Sequence, residues 1–453
     1  VTTMLEEAGW LAISVQKMFR GSPSYTPGSR KNPVYLKARL FDDAAAWKAL
    51  ANEVNKSEQK FRNKRWYDWI SVVNDASASK AHRWTRQDSI DLPTAKVHVA
   101  RIIIRTEEES LADEANKWAT EWRESDDPGP PIDIPEYVEL YDTTALTLLS
   151  TAASFKRATC QPDGVHPRHL LLYSDAVLGA HAALVNVAQI LCDVPKAKRQ
   201  IELVLLRKPS GGYRTVGHLD SWVRVLQSIQ RPAYRAWLAE NDRPYWSTES
   251  GRGAERTSWR LATRAESSQA RGLHSCATAM DLRKCFDSAD HQAVWQGVIE
   301  TGMPRGPSRL SIMLYTWPRR LVCNGLVSRQ IHAKRGLIAG TVPATYEVKA
   351  TMIQPLDVIS RDHPAAMIQA HVDDLTVASE DARIQALLGA HFSAVEQIVA
   401  NLVYGRWSFA FDKTVTTTSS DAVSRAITSR GIKLAGEVVA ASRFLGADHS
   451  QGR

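Results

Sequence analysis

The chain reads as a mixed α+β protein carried behind a mostly helical N-terminal extension. Three observations predict this. Residues 1–90 read as helical pieces joined by a Gly/Pro/Ser loop at Gly21–Pro33. An acidic stretch then ends in Asp126-Asp127-Pro128-Gly129-Pro130-Pro131, which stops any regular element. From residue 151 onward, short apolar runs bounded by turn signals alternate with longer helical ones.

At 453 residues the chain exceeds what one hydrophobic core serves, so about two to four domains are expected. With 44% hydrophobic and 23% charged residues it has the composition of a globular protein, which excludes disordered and collagen-like classes. Charge is unevenly placed. Residues 1–90 hold 15 Lys+Arg against 9 Asp+Glu, residues 91–150 hold 5 against 14, and residues 151–453 hold 37 against 26. An acidic linker at about 107–135 thus separates two basic regions, and a boundary is expected near 130–150. The overall charge of +8 points to a polyanionic partner such as nucleic acid.

Lys56–Val73 interleaves Lys60, Arg62, Lys64 and Arg65 with Phe61, Trp66, Tyr67 and Trp69. Such a stretch grips a nucleic-acid strand by charge and stacking, or is an amphipathic helix with its aromatics in the core. Residues 107–127 read as an acidic helix. Leu170–Cys192 is the most apolar long stretch, but Ser174, Asp175, His181, Asn186 and Gln189 within it favour a buried helix over a membrane span. Ile201–Leu206 is a strand. It runs into Arg207-Lys208-Pro209-Ser210-Gly211-Gly212-Tyr213-Arg214, the turn of a β-hairpin with a basic rim. Ser221–Glu240 reads as a helix. Cysteines at 160, 192, 276, 285 and 323 show no C-x-x-C spacing and are odd in number. Neither a disulfide framework nor a zinc site is expected, and a reducing intracellular setting fits.

The chemistry concentrates later. Cys276–Asp281 is a strand-like run ending in a carboxylate. Ala366–Ala378 sets two apolar runs on either side of Asp373-Asp374, the pattern of a hairpin whose tight turn carries both acids. An Asp-Asp pair alone is also common in surface turns. Two unit charges at 4 Å and an effective dielectric near 20 cost roughly 4 kcal/mol. Three carboxylates near one point therefore call for protons or divalent cations. Mg²⁺ suits such a site because it takes hard oxygen ligands and leaves positions for water and substrate phosphates. Two such ions about 3.5–4 Å apart stabilise the attacking and leaving oxygens of an in-line phosphoryl transfer.

The ordered set around these residues resembles the reverse transcriptase domain of non-LTR (LINE-type) retrotransposons. Gln161–Val165 is similar to an early fingers motif, Ile201–Val216 to the fingers hairpin, and Asp281–His291 to the first palm motif. Arg335–Gly340 is similar to the glycine-containing motif before the long palm helix, and His371–Asp374 to the catalytic turn. Phe411–Thr414 and Phe444–Gly446 are similar to the two later palm motifs. The chain departs from the family pattern at Thr215, Ala339, Ala344 and His371.

The resemblance implies a right-hand polymerase fold with fingers at 151–275 and an antiparallel palm sheet with packed helices at 276–453. The thumb is expected to be largely absent, because the chain stops soon after the last palm motif. The implied activity is a nucleotidyltransferase, an RNA-directed DNA polymerase adding dNTPs to a DNA primer 3′-OH on an RNA template. Asp281, Asp373 and Asp374 are implied as catalytic metal ligands for two Mg²⁺ ions, with Mn²⁺ able to substitute. Phe286 would lie under the incoming sugar and reject a ribose 2′-OH; otherwise it is a core phenylalanine. Lys208 and Arg214 would hold the triphosphate, or are solvated hairpin charges. Gly336 and Gly340 would admit the nascent base pair. Lys413 would neutralise the pyrophosphate leaving group. A nuclear location follows from the resemblance alone, and no membrane partner is expected. The alternatives are a viral-type RNA-dependent RNA polymerase, against which Val372 and Phe286 argue, and a catalytically silent nucleic-acid-binding remnant of a longer element.

Overall fold

The computed structural model describes residues 95–98, 101–104, 106–125, 142–156, 159, 162–199, 201–208, 211–247, 254–444 and 447–450. The loop at Gly21–Pro33, the basic-aromatic stretch Lys56–Val73, the stop at Asp126–Pro131 and the motif residues Leu445 and Gly446 lie outside them.

The strands, in chain order, are β1 (Ala95–His98), β2 (Arg101–Ile104), β3 (Ile201–Arg207), β4 (Tyr213–Leu219), β5 (His274–Asp281), β6 (Arg319–Cys323) and β7 (Leu326–Val327). They continue with β8 (Met367–His371), β9 (Asp374–Asp381), β10 (Val415–Thr418), β11 (Glu437–Val439), β12 (Ala441–Phe444) and β13 (Ala447–Ser450). The chain divides into two units. One comprises Val1–Asn116, Leu140–Gln230 and Pro318–Ile331, the other Lys117–Glu139, Arg231–Trp317 and His332–Arg453.

The first unit is built on a four-stranded sheet in the order β4-β3-β6-β7. The expected hairpin is its core. Ile201, Leu203 and Leu205 alternate inward along β3, as the two-residue period of a strand requires. β3 pairs antiparallel with β4 through Arg207↔Tyr213, and parallel with β6 on its other side. Asp163, in the early motif, accepts hydrogen bonds from the Ser221 amide at 3.2 Å and the Ser221 hydroxyl at 2.5 Å, and so pins the start of helix Ser221–Ile229.

Two expectations need adjustment here. The helix expected over Ser221–Glu240 is two helices, Ser221–Ile229 and Arg231–Glu240. Pro232 lacks an amide hydrogen and its ring obstructs the carbonyl four residues earlier, so the helix breaks and restarts. The apolar stretch Leu170–Cys192 forms a 3₁₀ turn, Pro167–Leu172, and a helix, Asp175–Leu191, that is buried along one side only. Leu178, Val185 and Ala188 face inward while Ile190 and Leu191 are exposed.

The second unit carries a five-stranded sheet in the order β11-β10-β5-β9-β8, with β5 at its centre. β5 pairs antiparallel with β9 and with β10. Leu261, on helix Ala254–Ala270, packs with Ala277 and Ala378 of β5 and β9. Helix Ile384–Tyr404 also lies against β9 and β5. It is 21 residues long and apolar enough to cross a membrane by length and composition. In this fold its apolar residues Leu388, Phe392, Val395 and Ile398 are buried. Its His391 hydrogen-bonds Thr278 of β5 at 2.8 Å and Ser379 of β9 at 3.0 Å. Thr278 bonds Thr416 of β10 at 2.8 Å, so a buried polar spine crosses three strands. Complete burial lowers the His391 pKa to about 3, and the imidazole is a neutral cross-link.

Helix Ala344–Asp362 buries Glu347 fully. Its carboxylate accepts from the Tyr315 hydroxyl at 2.6 Å and from the Ser311 hydroxyl. Burial raises the Glu347 pKa from 4.5 to about 7, which these hydroxyls offset only in part. Between those two values the folded chain holds a proton that the unfolded chain has released, so stability falls as pH rises through that window and levels above it. Glu347→Gln should flatten this slope and raise the melting temperature at pH 8, by on the order of 1–3 kcal/mol of stability. A thermal melt series from pH 5 to 8 checks this, and an unchanged slope in the variant contradicts it.

Candidate active site

Every element of the site converges on the last residue of β5. Apolar burial of Cys276 and Met280 fixes β5 in the sheet, and its final residue, Asp281, is half-buried where the apolar run stops. The β5–β9 register sets Asp281 directly opposite Asp374. The β8–β9 register sets His371 opposite Asp374 and leaves Val372 and Asp373 as a two-residue turn. Val372 takes φ +61°, a left-handed conformation that a β-branched side chain adopts at a cost of roughly 1–2 kcal/mol. The turn is anchored from outside, because the Leu282 amide donates to the Asp373 carbonyl at 3.0 Å. Strain of this kind persists where surrounding structure over-determines it.

Two further segments close on Asp281. The Ala410 amide donates to its carbonyl at 2.9 Å, and Arg283 donates to the Ser408 carbonyl at 2.7 Å. This docks the 408–413 segment alongside and brings the Lys413 ammonium within 2.6 Å of Asp281 Oδ2. That hydrogen bond raises the Lys413 pKa, so it stays charged.

The carboxylates perturb one another. Burial raises the Asp373 pKa, and the Asp281 charge adds to it against the pull of the Asp373 backbone amide. Burial, then the charges on Asp373 and Asp281, lift Asp374 from 3.8 to about 6. Cys285 lies in the same field. Its thiol is pushed up by burial first and then by Asp373, Asp281 and Asp287, so it is not a nucleophile. An oxygen-only donor set in which burial and neighbouring charge hold Asp373 and Asp374 above the ordinary carboxylate range fits a hard divalent cation. Among the described residues, however, no group of three or more His, Cys, Asp and Glu side chains is drawn tightly enough to hold a metal ion as it stands. The positive charge beside Asp281 is the Lys413 ammonium.

Phe286 is half-buried in the short helical turn Cys285–Ser288, which follows Lys284 at φ +48°. Its carbonyl accepts from the Leu337 amide at 2.7 Å, which ties this turn to the Arg335–Gly340 loop. Gly336 and Gly340 both take φ +95°, which L-residues rarely adopt, so glycine is required at each. These residues, with Asp281, Asp373, Asp374 and Lys413, all belong to the second unit. Lys208 and Arg214 belong to the first, on the β3–β4 hairpin, where Arg214 is exposed. Lys60, Arg62, Lys64 and Arg65 lie outside the described residues.

Sequence reasoning missed Glu121 and Trp122, read only as the end of an acidic helix. Glu121 accepts from Lys284 and Arg335, and Trp122 donates to Asp287. No local signal marked either residue, since Lys117 stands one helical turn before Glu121 and would serve as its expected partner.

A family model described as reverse transcriptase (RNA-dependent DNA polymerase) matches residues 206–446, more than half of the 453-residue chain. No curated protein matches the chain.

A group so placed costs stability. Between about pH 4 and 6 the folded chain holds a proton on Asp374 that the unfolded chain has released. Above about pH 6 the folded state bears the whole penalty, about 1 kcal/mol after allowing for partial solvent screening. Asp374→Asn should therefore melt higher than wild type at pH 7, by about 1–3 °C, and equally at pH 4. Calorimetry at the two pH values checks this, and a lower melting temperature at pH 7 contradicts it.

Proposed function

The chain belongs to the reverse transcriptase (RNA-dependent DNA polymerase) family, and from that premise we propose that it extends a DNA primer on an RNA template with Asp281, Asp373 and Asp374 as its catalytic carboxylates. The observation that carries this reading is the pairing of β5 with β9. It puts two of the acids opposite each other and the third in the adjoining turn, where their charges act on one another. The retrotransposon setting of non-LTR type rests on the motif resemblance.

In this reading Asp281 and Asp373 hold divalent cations with Asp374 beside them. When bound, such ions neutralise the charge that develops on the phosphoryl oxygens and favour the attack of a primer hydroxyl. The chain's own residues do the rest. The raised pKa values of Asp373 and Asp374 make these groups ready to take a cation in place of a proton. In the same reading the Lys413 ammonium, seated on Asp281, would meet the leaving pyrophosphate and donate to it a proton or a hydrogen bond. Lys413 is suited to this because its side chain is largely exposed and only its tip is engaged. The assignment of Lys208 and Arg214 to the triphosphate rests on the motif resemblance alone, the guanidinium acting through its bidentate fork. The short turn carrying Phe286 presents the ring to the sugar of the incoming nucleotide. A ribose 2′-OH meets the ring, and a deoxyribose does not. Gly340 keeps the loop free of a side chain next to the nascent pair.

Primer extension on poly(rA)/oligo(dT) with Mg²⁺ or Mn²⁺ tests the reading. Incorporation of dTTP is expected in wild type, with a loss of at least a hundredfold in Asp373→Asn. Incorporation of rNTPs instead would indicate an RNA polymerase, and duplex binding without extension a silent remnant.

Phe286→Val is expected to raise ribonucleotide use about tenfold relative to dNTPs, a change of about 1.4 kcal/mol in discrimination. An unchanged ratio in steady-state competition would show that the ring is packing rather than a sugar filter.

A further inference from the structure

The turn that carries Phe286 does not hold itself. Lys284, just before it, sits at φ +48°, a conformation that costs an L-residue roughly 1–2 kcal/mol and must be held by contacts. Those contacts come from more than a hundred and sixty residues earlier in the chain. Glu121 Oε2 accepts from Lys284 Nζ at 2.9 Å, and the same ammonium lies 4.5 Å from the centre of the Trp118 ring. Trp122, fully buried, donates from its indole nitrogen to Asp287 Oδ1 at 3.3 Å, at the other end of the turn.

The same short segment also holds the loop on the far side of Phe286. Arg335 donates from Nε to the Glu121 carbonyl at 2.6 Å and from its guanidinium terminus to Glu121 Oε1 at 3.2 Å. The Lys334 amide donates to the Trp122 carbonyl at 2.9 Å, and the Ser125 amide to the His332 carbonyl at 3.3 Å. From there the chain runs into Gly336 and Leu337, whose amides donate to the Ala289 and Phe286 carbonyls at 2.7 Å each. One carboxylate thus bridges two loops that meet at the backbone of Phe286. The Glu121 side chain is only 13% exposed, so its two cationic partners are held in a partly dry setting where such pairs keep more of their strength than on an open surface.

We infer that Glu121 and Trp122 are positioning residues for nucleotide selection, locking the Lys284–Asp287 turn against the Lys334–Leu337 loop so that the Phe286 ring stands at one fixed height beside the incoming sugar. This rests on the polymerase reading above and extends it to residues ahead of the matched family region. Neither residue touches the reacting atoms. Their effect falls on how strictly the 2′ position is read and on how tightly the nucleotide is held, and leaves the chemical step to the carboxylates.

The test uses the full chain carrying Glu121→Gln, Glu121→Asp or Trp122→Phe. Hydrogen exchange of peptides spanning 282–290 and 332–338 should quicken at least tenfold in Glu121→Gln, with β5 amides unchanged. In extension of poly(rA)/oligo(dT), the same variant should raise the KM for dTTP about fivefold and lower the dTTP-over-UTP preference about fivefold, with kcat within twofold. Glu121→Asp should recover part of both, and Trp122→Phe, which keeps the ring and loses the donor, should reproduce the change if Glu121→Gln does not fold. Unchanged exchange in both peptides, or an unchanged preference with kcat and KM falling together, overturns the inference. A wild-type chain that incorporates nothing would defeat the polymerase reading, while the exchange measurement still decides whether the clamp exists.

Discussion

The ladder between β5 and β9 is the constraint on which the rest depends. It pairs eight positions, and its last pair is Asp281 with Asp374. Left to themselves these side chains would separate, since two unit charges at contact distance cost roughly 4 kcal/mol at the dielectric of a protein surface. Each ladder hydrogen bond returns only about 1 kcal/mol net. The register holds because Leu375 and Val377 are locked into the core under helix Ile384–Tyr404, together with the Thr278–His391–Ser379 spine. A one-residue slip would turn all of those side chains to the other face. The sheet therefore keeps these acids together in spite of their repulsion, and the raised pKa values of Asp373 and Asp374 are its mark.

What surrounds the acids follows from this. A left-handed Val372 lets the turn close in two residues, and the Leu282 amide on the Asp373 carbonyl keeps it closed. Lys413 balances part of the charge at Asp281. The turn after β5 is equally determined, by a left-handed Lys284 held from Glu121 and by the loop amides on Phe286 and Ala289. Strain, burial of charge and long-range anchoring all gather within a few residues of Asp281.

Much of this was legible in the sequence for a plain reason. Asp281 ends an apolar run and Asp373-Asp374 interrupts another, so strand propensity and turn chemistry announce both positions locally. The β3–β4 hairpin was legible through Ile201–Leu206 and the paired glycines of its turn. The split of the 221–240 helix was written in Pro232 and passed over, because the apolar pattern continues across it. The rest lies in contacts that no local pattern encodes. The parallel pairing of β6 with β3 joins residues more than a hundred positions apart, and β6 itself is a five-residue run with two arginines. Glu121 and Trp122 meet their partners across 163–214 residues of chain, and nothing around them marks either as more than a helix end. Lys413 was legible as a motif residue, and its engagement with Asp281 adds the charge balance that a sequence does not state.

The most direct test of the central claim asks whether the far-separated acids hold a common cation. Fe²⁺ placed in such a site under oxygen and ascorbate cuts the backbone beside its ligands. The account predicts paired cleavage of the full chain near Asp281 and near Val372–Asp374, suppressed by excess Mg²⁺ and lost at both places in Asp281→Asn. Cleavage at neither place, or cleavage near Asp373 that persists undiminished in Asp281→Asn, would contradict it.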